Sequence, residues 1–406
     1  MKLMKGLNVL KRLLVLCSAL FTSVVADELS DILSDNKNIL FGYEFQTNTE
    51  KSNTLENSWI EPIRLQYKKS FSKQFTDKTI SSGSFTVGID QPIFRSGGIY
   101  YAIKYAQALR GANAADIKIK RKETIGNAVK ILFDMKKTKL ERKKLKLLIK
   151  NDAIDIRLKR ESYEAGLIDS SFLDQAILKQ NQDETKLLEM EMSLMGLEKN
   201  FSLLSDKDPN RLKLPKLNLI SAERYKGENL ELARDKLRAK EKRFNSKVTW
   251  AKYMPSVAVQ ARYIDEDTNP LFARPGLEER YFTYGFTISM PININMFSDV
   301  EATKVEHLKA QTEVIERKNT IDKEYKLVKS KLRIIDKKIA LARKDESLYK
   351  RLYRTTKNLA DAGEKTSYDT ALMRNSLEVR KLDKKIYDID KQIELLGLYT
   401  KVENAI

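Results

Sequence analysis

Four short segments alternate apolar and polar residues with a period of two. Ile63, Leu65 and Tyr67 alternate with Arg64, Gln66 and Lys68. Phe85, Val87 and Ile89 alternate with Ser84, Thr86, Gly88 and Asp90. In the second half of the chain the same pattern runs over 257–263 and 282–290, with Val257, Val259 and Tyr263, then Phe282, Tyr284, Phe286 and Ile288, on one face. Period two with a single apolar face predicts strands. The polar intervals 70–82 and 265–280 predict hairpin loops.

Elsewhere the period is seven. Val314, Ile321, Val328 and Ile335 form one series, with Tyr325, Leu332 and Ile339 at the alternate spacing, and Phe133, Leu140, Leu147 and Ile154 form another. Charged residues fill most positions between, which is a coiled-coil seam. All eight prolines lie outside 93–208 and 292–406. Proline breaks helix interiors, so these stretches predict long helices, over 99–165 and 299–362. At 1.5 Å per residue each is roughly 100 Å long. Globular helices average about 11–12 residues.

The N-terminus predicts export. Lys2, Lys5, Lys11 and Arg12 precede an apolar run from Leu13 to Val25, and Val24-Val25-Ala26 reads as a cleavage site before Asp27-Glu28. These are the parts of a secretory signal peptide, 1–26, and the run is too short for a spanning helix, which needs about 20 apolar residues. Cys17 is the only cysteine, and Leu16 before it argues against lipidation. A chain cleaved at Ala26 has no cysteine, which excludes disulfides and thiolate metal sites. Loss of the four leader cations takes the net charge from +19 to +15. Bases are interleaved with acids, as in Lys-Arg-Lys-Glu at 120–123, so the excess reads as solvated helix faces and no nucleic-acid partner is expected.

The chain repeats itself. Pro62 answers Pro255, Pro92 answers Pro291, and Gly166 answers Gly363. A period this long marks a duplicated half-chain: a first repeat over 27–220 with hairpin 60–92, and a second over 221–406 with hairpin 255–291. Strands of about 9–11 residues match the length needed to cross a bilayer. Four strands cannot close a barrel, and open edges do not survive in lipid, so several chains must share one barrel. Its polar face then lines a lumen and its apolar face meets lipid.

Short motifs carry a family resemblance. Trp59-Ile-Glu-Pro62 and Tyr253-Met-Pro255 sit where a helix gives way to an outward-going strand. Gln91-Pro-Ile-Phe94 with Ser96-Gly-Gly98, and Met290-Pro-Ile-Asn-Ile-Asn-Met-Phe297, sit where a strand returns to a long helix. Glu164-Ala-Gly-Leu-Ile168 and Asp361-Ala-Gly-Glu364 mark the turns between long and return helices. In order and spacing these resemble the TolC family of outer-membrane efflux proteins, across nearly all of the cleaved chain.

The resemblance implies an α+β membrane protein that forms a homotrimer. Three protomers would build a twelve-stranded outer-membrane β-barrel and a periplasmic α-helical coiled-coil barrel, from an internal duplication. Such channel-tunnels export substrates from periplasm or cytosol to the exterior. They partner outer-membrane lipid, a periplasmic adaptor protein and an inner-membrane pump, in a tripartite efflux system or type I secretion. Drug efflux and protein secretion both remain open, because the pump selects the cargo. At the inner tip the family carries acidic residues after each Gly turn. Asp369, six residues after Gly363, occupies that position, with Lys365 placed to tie neighbouring helices. The first-half counterpart is Phe172, a departure flanked by Asp169 and Asp174. Only Asp27 to Trp59 precedes the first strand, so the first helix is expected to be brief.

Other candidate chemistry is weaker. His307 is the only histidine and lies in the seam series Val300, His307, Val314, which predicts packing, not metal binding. Met190, Met192 and Met195 point in three directions on a helix and read as gap-filling packing. No Walker A, GxGxxG or GxSxG pattern occurs, so neither an enzyme nor a cofactor or metal site is predicted. The rival reading is a non-transporting periplasmic or surface coiled-coil structural protein. It accounts for the heptads but not for the strands or the duplication.

Overall fold

The computed structural model describes residues 31–73, 79–266 and 278–403. The leader, Cys17 and the centres of both hairpin loops lie outside the described residues. The elements run α1 (Asp35–Glu56), β1 (Arg64–Ser72), β2 (Ile80–Phe94), α2 (Gly98–Glu164), α3 (Ser170–Ser202), α4 (Ala222–Gly227), α5 (Leu230–Lys252), β3 (Ser256–Glu266), β4 (Arg280–Ser289), α6 (Met296–Asp361) and α7 (Ser367–Tyr399). The strands reach further into the expected loop intervals than the alternation showed. Ser70 and Ser82, read as loop, are a cross-strand pair whose hydroxyls lie 2.8 Å apart.

The chain divides into two compact units, each drawing on both halves of the sequence. One contains Phe41–Lys118 and Leu230–Thr320. It holds a four-stranded antiparallel sheet in the order β1-β2-β3-β4, so the two hairpins join through β2 and β3. The corners below the sheet are tied by the motif residues. The Gln91 side chain donates to the Trp59 carbonyl at 3.0 Å and accepts from the Glu61 amide at 3.1 Å. Ser96, at φ 47°, donates from its hydroxyl to the Pro255 carbonyl at 2.7 Å. Below them Arg317 of α6 reaches Glu231 and Asp235 of α5, both at 2.9 Å, and Arg238 of α5 reaches Asp116 of α2 at 2.7 Å.

The expectation of a brief first helix is corrected: α1 has 22 residues. Its sequence carries no apolar stripe, and only Phe41 and Ser52 are buried. Polar bonds hold it instead. Asn48 and Ser52, one turn apart, donate to the α2 carbonyls of Arg110 at 3.0 Å and Ala106 at 2.9 Å. Ala106 and Ala112 are fully buried, and such small side chains let a second backbone approach.

Among the described residues, the other unit contains those up to Leu40, Ile119–Asn229 and those from Ile321 onward. Its core includes Val129 and Phe133 of α2, Phe201 of α3, Ile321 and Leu332 of α6, and Leu382 and Ile386 of α7. Two buried carboxylates cross-link its helices. Asp383 of α7 pairs with Lys144 of α2 at 2.7 Å and with Arg380 at 3.1 Å. Asp152 of α2 pairs with Lys179 of α3 at 2.5 Å. The end of the chain is pinned where Lys122 donates to the Val402 carbonyl at 2.5 Å and Asn229 bridges Val402.

On α6 the seven-residue series found in the sequence faces inward, with Ile321, Leu332 and Ile339 buried. A second series, Leu327, Ile334, Leu341 and Leu348, stays exposed on the same helix. The reading of the α3 methionines as packing is corrected for the single chain: Met192 and Met195 are exposed, beside Leu188. In the single chain both stripes present apolar residues to solvent at heptad-like spacing.

The cross-links rank by burial. Asp383→Ala leaves two cations without their partner and should lower unfolding stability by about 1–3 kcal/mol. Asp336→Ala, at the exposed pair with Lys391, should cost at most about 1 kcal/mol. Thermal unfolding followed by circular dichroism compares them, and equal effects would refute the ranking.

Candidate functional site

The two Gly turns are built alike. At the end of α2 the Gly166 amide donates to the Tyr163 carbonyl at 2.9 Å and the Leu167 amide to Ser162 at 2.9 Å. At the end of α6 the Gly363 amide donates to Ala360 at 3.0 Å and the Glu364 amide to Leu359 at 2.9 Å. This nested pair satisfies the last helical carbonyls and needs a left-handed residue at its centre. Gly166 and Gly363 supply it, at φ 71° and 80°.

The return helices start three residues later. Asp169 is the N-cap of α3, and its carboxylate accepts from the Ser171 amide at 2.8 Å. Thr366 holds the same offset in the second half and is the N-cap of α7. Asp369 completes a capping box with it: the Asp369 amide donates to the Thr366 hydroxyl at 3.2 Å, and the Asp369 carboxylate accepts from the Thr366 amide at 3.0 Å. Each carboxylate sits at the positive end of a helix.

The remaining predicted residues fall around these caps. Lys365 is exposed beside Asp369. Asp174 is exposed one turn into α3, and Phe172, at the offset matching Asp369, is also exposed. Asp169 and Asp174 thus share the first turn, while Asp369 and Lys365 share the second. A contact absent from the sequence reading links α2 to the second turn: the Arg157 guanidinium lies 4.8 Å from the centre of the Tyr368 ring. His307 is half-buried on α6, with Nδ1 lacking a hydrogen-bond partner among the described residues.

The sheet is the second candidate surface. Register puts Leu65, Val87, Tyr263 and Phe282 in one row, and Ile89, Ala261 and Tyr284 in the next on that face. Phe282 and Tyr284 are 76% and 89% exposed, so this apolar face has no cover in the single chain. The opposite face carries Gln66, Lys68, Ser84, Thr86, Gln260 and Thr283. β1 and β4 each leave one edge unpaired. Among the described residues no helix is long and apolar enough to cross a membrane.

This architecture is shared with solved outer-membrane channels. The Campylobacter jejuni CmeC outer membrane channel aligns with TM-score 0.72 at 14% identity, over 93% of this chain and 85% of that one. The Vibrio cholerae outer membrane protein VceC aligns with TM-score 0.70 at 13% identity, over 90% of this chain and 93% of that one. The open-state Neisseria gonorrhoeae MtrE outer membrane channel aligns with TM-score 0.66 at 12% identity, over 93% and 87%. No protein-family model matches the sequence, and neither does any curated protein sequence. At these identities the likeness is one of fold, and the fold is TolC-like.

The caps set a pH dependence. The backbone amide bond from Thr366, then its hydroxyl, holds the Asp369 pKa below the ordinary aspartate value, with Lys365 adding to the shift. The backbone amide of Ser171 does the same for Asp169. A carboxylate with a depressed folded pKa contributes fully above its unfolded pKa, about 3.9, and that contribution is lost as pH falls through the folded value. Amide protection at Ser171 and Thr366 should therefore hold from pH 7 to about 5 and decline below about 4. In Asp169→Ala and Asp369→Ala that decline should disappear; an identical pH profile in the variants would show that the caps do not control it.

Proposed function

We propose that three copies of this chain form a channel-tunnel across the outer membrane of a Gram-negative envelope, with a helical extension into the periplasm. The two-faced sheet carries this reading. Its exposed apolar face suits lipid, and its unpaired edges call for strands from other copies. Its polar face holds Arg64, Lys68 and Arg262, and an arginine turned to lipid at the bilayer midplane costs about 2–4 kcal/mol. That face therefore lines water. Three copies of a four-stranded sheet supply twelve strands, and β4 of one copy meets β1 of the next. The exposed α6 series and the Leu188, Met192 and Met195 stripe of α3 provide helical contacts between copies.

The chain is a passive duct in this reading, with no catalytic step. It acts as the outer component of a tripartite efflux pump or a type I secretion system, docked to a periplasmic adaptor and an inner-membrane pump. The repeats 27–220 and 221–406 supply equivalent halves to its wall. The turns at Gly166 and Gly363 form the periplasmic tip. There Asp369, supported by Asp169 and Asp174, forms an acidic constriction, and Lys365 and the Arg157–Tyr368 contact hold it shut. Like charges gathered in a narrow lumen attract cations and oppose anions.

Assembly tests the duct. Purified in detergent, the protein should have the mass of a trimer, and Leu341→Lys should weaken it by placing a charge in the helical seam. A detergent-free soluble monomer would defeat the reading. Single-channel recording tests the gate. Asp369→Ala should reduce cation preference, whereas Lys365→Ala or Arg157→Ala should raise basal conductance. Exposed pairs contribute only about 0–1 kcal/mol each, but three-fold repetition multiplies the term. Unchanged selectivity and conductance would remove these residues from the gate and leave the duct standing.

A further inference from the structure

One row on the polar face of the sheet concentrates charge of a single sign. Arg64 pairs in register with Gly88, Gly88 with Arg262, and Arg262 with Thr283. Strands lie about 4.8 Å apart, so the two arginines stand roughly 10 Å from each other, separated by a residue without a side chain. A Cβ added at Gly88 would meet Cγ of Arg262 at 3.1 Å. The stem of Arg262 thus lies over the glycine and leans towards β1. Both arginines are exposed, and neither forms an ion pair with another described residue.

The acidic groups on this face are engaged or displaced. Asp90 sits two residues along β2 and accepts from Gln260 at 3.3 Å. Glu266 is level with Ser84 and shares that row with Lys68, so the charges there oppose each other. Only the Arg64–Gly88–Arg262 row presents two cations with no acid in register.

We propose that this row is an anion-binding station inside the barrel, a belt of six guanidinium groups contributed by three copies. The inference rests on the reading of the polar face as the lumen wall. Guanidinium presents a planar fork of N–H donors that matches phosphate, sulfate and carboxylate oxygens, and rings of Arg or Lys select anions in pores. The passing solutes it fits are those with multivalent anionic groups. Gly88 leaves the space between the arginines open, so one polyanion can engage both.

Sodium tripolyphosphate added to both sides of a planar bilayer is the probe. It should block current through the unmodified channel. In R64Q/R262Q the blocking concentration should rise at least about tenfold, while R64K/R262K should stay within about threefold, because a ring of lysines still selects anions. Lys68→Gln, on the same face but outside the row, should leave block unchanged. Arg262→Gln alone should give an intermediate shift, and it carries the test if the double variant fails to assemble. Channels of normal conductance whose block is absent, or unaltered by the Gln substitutions, would overturn the belt while leaving the duct intact. Absence of any conductance from the unmodified protein would overturn the duct reading, and the belt with it.

Discussion

Backbone hydrogen bonding at the two outer edges of the sheet is the constraint on which the rest depends. β1 and β4 each present a row of amide and carbonyl groups with no partner in the chain. In water such edges are a liability that proteins blunt with charge, proline or a covering element. Here neither edge strand contains proline, and the adjoining face exposes Phe282, Tyr284 and Phe286. A sheet of this kind gains most where other copies satisfy its edges and lipid covers its apolar side. In the proposed assembly the long helices would then also meet neighbouring copies, which would account for a second apolar series on α6 beside the one it buries.

The helix turns follow a different economy. Both must reverse a helix with no hydrophobic core to steady them, because Leu167 and Glu364 just past the glycines are exposed. Left-handed glycines close the outgoing helices, and side-chain oxygens open the returning ones. Asp369 therefore has a structural duty whether or not it also meets permeating ions. Its depressed pKa keeps it charged across the physiological range, so the cap and the proposed constriction need the same protonation state.

Much of this was legible from pattern alone. Alternation in 84–90 and 282–290 located strands and their faces, because one side of each is uniformly apolar. The Pro-free stretches and their closing glycines located α2 and α6 within a few residues. What stayed hidden depends on pairing or backbone geometry. Arg64 and Arg262 are far apart in sequence, and only the β1–β2 and β2–β3 registers together bring them to either side of Gly88. Thr366 is an ordinary threonine until its hydroxyl is seen to accept from the Asp369 amide. The length of α1 escaped because its anchoring residues are Asn48 and Ser52, which no hydrophobic period reveals. The exposed α6 series was masked by the stronger inward one about a third of a turn away.

In the proposed trimer, alternation of side chains along β1 and β4 would also govern how copies join. A one-residue slip between neighbouring strands exchanges their faces, so the junction between copies can err only in steps of two residues, about 6.8 Å. The strand ends resist even those steps. Arg280 opens β4 on the apolar face, paired with Asp265 at 3.2 Å, and Lys69 lies near the loop end of β1 on that same face. A slip that drew either cation toward the centre of the apolar band would bring a charge into hydrocarbon, and three-fold symmetry would repeat the penalty at every junction. In the proposed barrel the stagger would thus be proofread by two charges at its rim.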